Sequence, residues 1–298
     1  ISACLVGSEM CIRDRYTTLL SISQVSPTDI WASGVRFDAQ GKATSAIYHL
    51  ANCQWRDMHV TLPQISLDSI AMVSSNEGWV AGSRFITGPC NCVGTQTGLV
   101  LLHYLHGQWQ QTTVPGASAF IDGTLSFRSP DEGWLVANGA GSQLDNALFH
   151  YVAGTWQRVS LPTAIAPGVS SPITVVGPND IWFTSFLTLD SISQASTGDI
   201  VHWQNGHSTT YPLPRNSFAS SLSFPAPNDG WMTGSTHTDF NDTMPAQPLL
   251  WHFDGMQWTN VVLPTFVPPM IPNHTYFTSG SFATEQAGVA FGYTLDYA

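Results

Sequence analysis

A five-fold internal repeat constrains this chain more than any other feature, and all eleven tryptophans belong to it. Its first element recurs as Asp29-Ile30-Trp31, Glu77-Gly78-Trp79, Glu132-Gly133-Trp134, Asp180-Ile181-Trp182 and Asp229-Gly230-Trp231, with successive tryptophans 48, 55, 48 and 49 residues apart. Its second element carries a histidine, at His49, His103, His150, His202 and His252, and a proline ends each copy, at Pro63, Pro115, Pro162, Pro214 and Pro264. Such a period, with short apolar runs and no helical spacing, predicts an all-β fold: a β-propeller with one four-stranded blade per repeat.

The third copy illustrates how one repeat makes a blade. Polar and apolar residues alternate over 124–128, which predicts a first strand with one buried face. Residues 134–137 form a nearly continuous apolar run, as expected of a strand buried between neighbouring blades. The third and fourth strands are predicted at 148–152 and 156–161, joined by a tight turn in which Gly154 takes a positive φ.

The repeat also predicts the boundaries of the blades. We expect them at 16–63, 64–115, 116–162, 163–214 and 215–264, followed by part of a sixth at 265–298. Residues 1–15 resemble the translation of a sequencing adaptor, and we expect this segment to lie outside the natural fold. The chain is therefore interpreted as a fragment with five complete repeats and a partial sixth.

Composition and charge narrow the classes of function. Only 10% of the residues are charged, the net charge is −11, and Lys42 is the sole lysine. A nucleic-acid partner is not expected, since phosphate binding requires clustered lysine and arginine. No apolar run approaches the roughly 18 residues that a membrane-spanning helix needs. A surface rich in uncharged polar residues favours an extracellular or cell-surface location.

The aromatic residues of the repeat are interpreted as scaffold, because a buried indole removes roughly 150–250 Å² of apolar surface from water. The nine indoles assigned to blade packing are Trp31, Trp55, Trp79, Trp109, Trp134, Trp156, Trp182, Trp231 and Trp258. The repeat histidines could line a metal or catalytic site, but a group present in every blade is more simply a structural hydrogen-bonding residue. No cofactor is predicted.

Several segments resemble known propeller families. The segment that ends at Trp258, HFDGMQW, is similar to the Asp-box of sialidase-type (BNR) and sortilin-type propellers, although the Ser-x-Asp of that motif is reduced to Asp254. The DEGW…GTW rhythm of the third copy resembles photosystem assembly factors, and the closing Leu-Pro resembles kelch repeats, without their double glycine. Blade four, with NDIWFTSF, is similar to streptogramin lyase propellers. The sialidase resemblance implies a clamp of three arginines around a carboxylate, for which Arg36 and Arg84 occupy equivalent positions.

Connection lengths indicate a ligand-binding surface. First-to-second and third-to-fourth turns are short and uniform, whereas second-to-third and blade-to-blade connections are long and irregular and lie on the opposite face. The candidate ligand-binding residues of this irregular loop face are Arg36, Asp38, Arg84, Asp145, Asp199, His237, Asp239 and Asp242. Residues 237–243 could hold Ca²⁺ or form a solvated acidic loop, and Cys90 with Cys92 could hold a soft metal or form a thiol pair; we predict no metal.

A complete scaffold pattern without a matched catalytic set favours a binding protein. We expect a non-enzymatic propeller of a secreted or cell-surface bacterial protein that binds a protein or a glycan through its irregular loop face. The alternative is a carbohydrate-active enzyme similar to sialidases and other glycosidases, or to streptogramin lyases, with its acid and base from the acidic loops and His237. An assembly chaperone is a third class.

Overall fold

The computed structural model of the protein describes residues 17–86, 95–139, 146–161, 167, 171–185, 188–189, 196–236, 247–263, 274–284 and 287–295. These residues form strands, turns and loops and no helix. The fold is an all-β propeller, and the described residues form five four-stranded blades, as the repeat predicts. The chain divides into two compact units, Ile1–Leu161 and Pro162–Ala298, each of which is described by itself.

The first unit contains blades 1 to 3, each an antiparallel sheet with its strands in chain order. Blade 1 consists of β1 (Thr17–Ser26), β2 (Asp29–Phe37), β3 (Ala43–Ala51) and β4 (Gln54–Asp57). Blade 2 consists of β5 (Ile65–Ser74), β6 (Glu77–Ile86), β7 (Thr95–Leu105) and β8 (Gln108–Thr112). Blade 3 consists of β9 (Phe120–Ser129), β10 (Glu132–Gly139), β11 (Ala147–Val152) and β12 (Thr155–Val159).

The second unit contains blades 4 and 5 and a hairpin. Blade 4 consists of β13 (Ile173–Gly177), β14 (Asp180–Thr184), β17 (Asp199–Gln204) and β18 (His207–Pro212), and the two-residue strands β15 (Thr188–Leu189) and β16 (Ser196–Thr197) pair between β14 and β17. Blade 5 consists of β19 (Ser217–Ala226), β20 (Asp229–Thr236), β21 (Pro248–Phe253) and β22 (Trp258–Asn260). The strands β23 (His274–Thr284) and β24 (Ala287–Leu295) form the hairpin, where the sequence predicts a partial sixth blade.

Short turns lie at one end of each blade, which we call the regular end, and the longer connections lie at the irregular end. The third-to-fourth turns of blades 2 to 4 pair a non-glycine residue of φ between 45° and 51° with a glycine of φ between 85° and 87°. Two successive positive φ values match the twist of the flanking strands. The positive φ predicted for Gly154 is confirmed, at 87°.

Each repeat tryptophan lies on the second strand of its blade, directly opposite the repeat histidine of the third strand. The pairs are Trp31 with His49, Trp79 with His103, Trp134 with His150, Trp182 with His202 and Trp231 with His252. Their ring centroids lie 3.9 to 4.4 Å apart. The indoles of Trp31, Trp79, Trp134, Trp182 and Trp156 are buried, and those of Trp55, Trp109, Trp231 and Trp258 are half-buried. The repeat thus fixes where the aromatic core of each blade lies.

A phenylalanine from the next strand pair in the chain completes several of these stacks. Trp79 lies between His103, at 4.3 Å, and Phe127 of blade 3, at 3.8 Å and nearly parallel. Phe224 stacks on Trp182 in the same way, at 4.8 Å, and Phe282 stacks on Trp231, at 4.8 Å. One indole therefore packs against rings from both sides, which adds to the apolar area that it buries.

A glycine makes room for each of these phenylalanines. Gly133 precedes Trp134, and a Cβ on Gly133 would collide with the ring of Phe127. Gly230 and Gly288 stand in the same relation to Phe224 and Phe282. In blade 2, Met72 stands in place of the phenylalanine, and a Cβ on Gly78 would collide with its sulfur atom. Blades 1 and 4, which have Gln24 and Val175 at that position, carry Ile30 and Ile181 before the tryptophan. The difference between the Gly-Trp and Ile-Trp copies of the repeat follows from this packing.

Serine hydroxyls join the first strands of neighbouring blades. The N–H groups of Ile70 and Met72, on β5, donate to the Oγ atoms of Ser21 and Ser23, on β1, at 3.1 and 2.9 Å. The N–H of Leu125 donates to Ser69 Oγ at 2.9 Å, which repeats the arrangement between blades 2 and 3. The donor strands β5 and β9 lie at the edges of their sheets, so the N–H groups that point away from the sheet need an acceptor, which these hydroxyls supply.

Candidate functional site

The structure places Arg36 in an ion pair within its own blade. Its Nη2 atom lies 2.6 Å from Asp57 Oδ2 and 2.5 Å from the hydroxyl of Tyr48. Burial alone would raise the pKa of Asp57, but hydrogen bonds from Arg36 and from the N–H of His59, together with their charges, hold it below its usual value. The guanidinium of Arg36 is thus held by a local carboxylate, in an arrangement unlike a clamp on a substrate.

The other described candidates of the irregular loop face are Asp38, Arg84 and Asp199, and each is described within its own blade. Asp38 is exposed and accepts the N–H groups of Gln40 and Lys42, at 3.0 and 2.8 Å, so that it closes the turn between β2 and β3. Arg84 is exposed near the irregular end of β6. Asp199 begins β17 and its N–H donates to the hydroxyl of Ser185 at 3.0 Å.

Several other candidates lie outside the described residues. They are Asp145, His237, Asp239 and Asp242, together with Cys90 and Cys92. Cys53, at the third-to-fourth turn of blade 1, is disulfide-bonded.

The repeat histidines are bound by the acidic residues that precede the tryptophans. His49 Nε2 lies 2.8 Å from Asp29 Oδ1, and the corresponding distances for the pairs His202–Asp180 and His252–Asp229 are both 2.7 Å. The matching distances for His103–Glu77 and His150–Glu132 are 3.3 and 3.7 Å. Four of the five imidazoles are thus oriented by a hydrogen bond to a carboxylate while they pack on an indole, as their recurrence predicts. His150 packs on its indole in the same way, but its Nε2 atom is too far from Glu132 for a hydrogen bond.

A cleft of about 180 Å³ lies between the outer strands of blades 2 and 3. Blade 2 contributes Trp79, His103, Thr112, Thr113 and Pro115, and blade 3 contributes Tyr151, Gly154, Thr155 and Trp156. This lining combines aromatic rings with hydroxyl groups and an imidazole, the combination found in small-molecule sites. The volume is below the roughly 300 Å³ at which sites for drug-sized ligands begin, and suits a single sugar ring.

Tyr151 lines the cleft and carries a phenol hydroxyl. Its ring centroid lies 5.7 Å from that of Trp79 and 5.1 Å from that of Trp156, and the side chain is half-buried. Burial, with smaller contributions from the charges of Glu77 and Asp131, raises the pKa of its phenol. The phenol therefore stays protonated at neutral pH and can both donate and accept a hydrogen bond.

Sequence reasoning missed the residues of this cleft. Tyr151 follows a repeat histidine, but so does Tyr104 of blade 2, which is only 6% exposed and packs 5.0 Å from Trp31. The two tyrosines are equivalent in the repeat and differ in what covers them. The His-Tyr sequence is the same at both positions, so it does not indicate that Tyr151 is accessible and Tyr104 is buried.

Two absences apply to the described part of the chain alone. No group of three or more His, Cys, Asp or Glu side chains there is arranged to hold a metal ion. A search of the same residues finds no helix with the length and apolar character that a transmembrane span requires.

Solved structures similar to this chain are β-propellers. The fucose-specific lectin of Aleuria aurantia aligns with a TM-score of 0.53 and 9% identity over 90% of this chain and 85% of the lectin. A second structure of that lectin, at 10% identity and a TM-score of 0.54, is described as a six-bladed β-propeller with a novel fucose recognition mode. A protein of unknown function from Dyadobacter fermentans aligns with a TM-score of 0.60 and 10% identity over 91% of this chain and 89% of its own.

SapL1 lectin, solved with α-methyl fucoside, aligns with a TM-score of 0.52 and 11% identity over 82% of this chain and 78% of its own. No protein family profile and no curated protein matches the sequence. Identities this low establish the propeller fold and no closer relationship. The resemblances to Asp-box and kelch propellers are thus supported at the level of the fold.

Proposed function

We propose that this chain is a non-enzymatic, glycan-binding propeller of a secreted or cell-surface bacterial protein. The observation that carries the proposal is the cleft between blades 2 and 3, in which aromatic rings lie beside hydroxyl groups. Three lectin structures with the same fold, whose descriptions name fucose or a fucoside, support the same class of ligand.

The chemistry of the cleft matches that of a sugar. One face of a pyranose presents C–H groups that pack on an aromatic ring, while its edge presents hydroxyl groups that need hydrogen-bonding partners. Tyr151 offers both a ring and a neutral phenol, and Thr112, Thr113 and Thr155 offer hydroxyls on the two sides. No strongly charged side chain lines the cleft, so a neutral sugar suits it better than an anionic one.

The residues that line the cleft come from both ends of the blades: Gly154 belongs to the third-to-fourth turn of the regular end, and others belong to the irregular loop face. Thr112 ends β8, and Thr113 and Pro115 belong to the link between blades 2 and 3, which is one of the long connections of that face. Arg84 is exposed near the irregular end of the same blade. A glycan longer than one sugar would extend from the cleft toward these connections, and the irregular loop face is proposed to contact its remaining residues.

A binding assay with a matched pair of variants tests this function. The chain is screened on an array of neutral glycans, and methyl α-fucoside is titrated calorimetrically. Tyr151→Phe removes the accessible phenol oxygen, and loss of one neutral hydrogen bond, about 0.5–1.5 kcal/mol, weakens binding roughly two- to tenfold. Tyr104→Phe makes the identical change at the equivalent buried position and should leave affinity unchanged.

Three results would count against the proposal. Absence of binding to every glycan on the array contradicts the glycan-binding function itself. Equal affinities for the two variants, with binding intact in both, would place the sugar outside this cleft. Release of reducing sugar from a bound glycan would show a carbohydrate-active enzyme instead.

A further inference from the structure

Two carboxyl groups lie on the first strands of blades 2 and 3, toward the irregular end, and the hydrogen bond between Leu125 and Ser69 joins these two strands. Asp68 lies in the bulged part of β5, where the pairing with β6 shifts between Ser66 and Ser69. Asp122 lies on β9 beside the shift at the end of β10. Both side chains are half-buried and retain access to solvent.

The partners of these carboxylates are neutral. Asp68 accepts hydrogen bonds from the hydroxyls of Ser66 and Ser83, the second at 3.0 Å. Asp122 accepts a hydrogen bond from the Nδ2 group of Asn138 and another from the side chain of Gln96. Hydroxyl and amide donors orient a carboxylate but leave its negative charge uncompensated.

The charge of Asp122 disfavours ionisation of Asp68. Burial raises the pKa of Asp68, and the charge of Asp122 raises it further against the hydrogen bonds from the serines. Burial likewise raises the pKa of Asp122. Two desolvated carboxylates close together form a strongly electronegative place that a positive ion stabilises.

An independent feature at the same place also calls for a ligand. Asn138 is only 2% exposed, and its Oδ1 atom has no hydrogen-bond partner among the described residues. Its Nδ2 group donates to Asp122, so Oδ1, which belongs to the same planar amide, lies one amide width from that contact. A buried carbonyl oxygen without a partner is uncommon, and a bound ion or water is a usual explanation.

We propose that Asp68, Asp122 and the Oδ1 atom of Asn138 bind a divalent cation of the Ca²⁺ class. Ca²⁺ takes six to eight oxygen ligands from carboxylates, amide carbonyls and water in flexible geometry. Two carboxylates balance its charge, and neutral oxygens with water complete the shell. This agrees with the absence of three His, Cys, Asp or Glu groups around any one point of the described residues. With two charged ligands, the dissociation constant is expected in the range of roughly 10⁻⁴–10⁻³ M that is typical of extracellular modules.

The cation would link the first strands of two neighbouring blades. Asp68 belongs to blade 2 and Asp122 to blade 3, which Ser69 and Leu125 already join by a hydrogen bond. A bound ion therefore stabilises the packing of blades 2 and 3. The site shares no residue with the sugar cleft, so either function can fail without the other.

Thermal unfolding with added CaCl₂ tests the site. After EDTA treatment and dialysis, the melting temperature of the full chain is measured over a CaCl₂ series, and Ca²⁺ binding is titrated by calorimetry. Since a ligand that binds only the folded state stabilises it by RT ln(1 + [L]/Kd), the wild type should show a rise that steepens once Ca²⁺ exceeds Kd. MgCl₂ should act more weakly, because Mg²⁺ demands a stricter octahedral shell.

Two variants and one control decide the outcome. Asp122→Asn removes a charged ligand, and Asn138→Ala removes the buried oxygen and leaves both carboxylates; each should weaken Ca²⁺ binding roughly tenfold or more. Asp131→Asn makes the same charge change at an exposed turn of the regular end and should bind Ca²⁺ like the wild type. Absence of Ca²⁺ binding in the wild type, or equal binding in Asp122→Asn and Asp131→Asn, would overturn the proposal. If Asp122→Asn does not fold, Asn138→Ala decides: unchanged binding in that variant overturns the site.

Discussion

Replacing Ser69 by alanine should destabilise the packing of blades 2 and 3 by far more than a serine-to-alanine change at the surface. Ser69 Oγ accepts the N–H of Leu125 at 2.9 Å, and both residues are only 5% exposed. The change leaves a buried donor without an acceptor, so the cost is the desolvation penalty of that group, about 1–3 kcal/mol. With a urea slope of about 2–3 kcal/mol/M, a loss of about 2 kcal/mol lowers the unfolding midpoint by roughly 0.7–1 M.

The control for this prediction is Ser74→Ala in the same strand. Ser74 Oγ accepts the N–H of Asn76 at 3.2 Å in an exposed turn, where water can replace it, so the expected change is within about 0.5 kcal/mol. Ala71→Ser should raise the free energy of unfolding, because Ala71 occupies the position that Ser23 has in blade 1, and Ser23 Oγ accepts the N–H of Met72. Urea unfolding followed by tryptophan fluorescence measures all three. Equal midpoints for Ser69→Ala and Ser74→Ala would refute the inter-blade role of the hydroxyl.

Three further predictions concern single positions. Gly82→Ala should cost about 1–3 kcal/mol, because its Cβ would collide with the backbone of the first strand of its blade, whereas Gly98→Ala, with nothing within 4 Å of its Cβ, should be nearly neutral; urea midpoints of the two variants check this. The pKa values of Asp68 and Asp122 are raised in the folded protein, so folding favours their protonated forms. The stability that these two groups contribute is therefore fully present below the ordinary carboxyl pKa of about 3.9, and it is lost as the pH rises through their pKa values in the folded protein. In the absence of Ca²⁺, the free energy of unfolding of Asp122→Asn should therefore rise relative to that of the wild type as the pH increases from below about 3.9 through the folded pKa of Asp122. A difference that stays constant over this pH range would contradict the prediction. Burial lowers the pKa of His150, although the negative charge of Glu132 acts in the opposite direction. The stability that the neutral imidazole contributes is therefore present above the ordinary histidine pKa of about 6.5 and is lost as the pH falls through the folded pKa. Between pH 7 and pH 5, the free energy of unfolding of His150→Gln should fall less than that of the wild type.

The scaffold could be predicted from the sequence because its residues recur. The repeat positions that Trp134 and His150 occupy in blade 3 are a tryptophan and a histidine in every blade, so the strands that carry them and the pairing of those strands follow from the period. The strand predicted at 134–137 lies within β10, and the third and fourth strands predicted at 148–152 and 156–161 match β11 and most of β12. A property that every copy needs is visible five times over.

The two candidate sites could not be predicted because they depend on single copies. Asp68 and Asp122 stand eleven and twelve residues before their tryptophans, and the bulges of the first strands hide their common location. Tyr151 and Tyr104 are equivalent in the repeat, and only packing makes one of them accessible. Arg36 and Arg84 match in register, but Asp57 has no carboxylate counterpart in blade 2, where Gln111 stands at the equivalent place two residues after the tryptophan. Differences between copies, which carry the chemistry, are invisible to an argument from periodicity.

The paired glycine and phenylalanine impose a rule on how such repeats can be exchanged. A blade whose first strand carries the phenylalanine, such as blade 3 with Phe127 and Gly133, presents an aromatic ring to the indole of the blade before it. A blade of the isoleucine type presents no ring there. Gene duplication or design could therefore place a blade that carries the phenylalanine, such as blade 3 or blade 5, directly after any copy whose indole has no ring on that face. A blade of the isoleucine type at that position would leave that face of the indole without an aromatic neighbour.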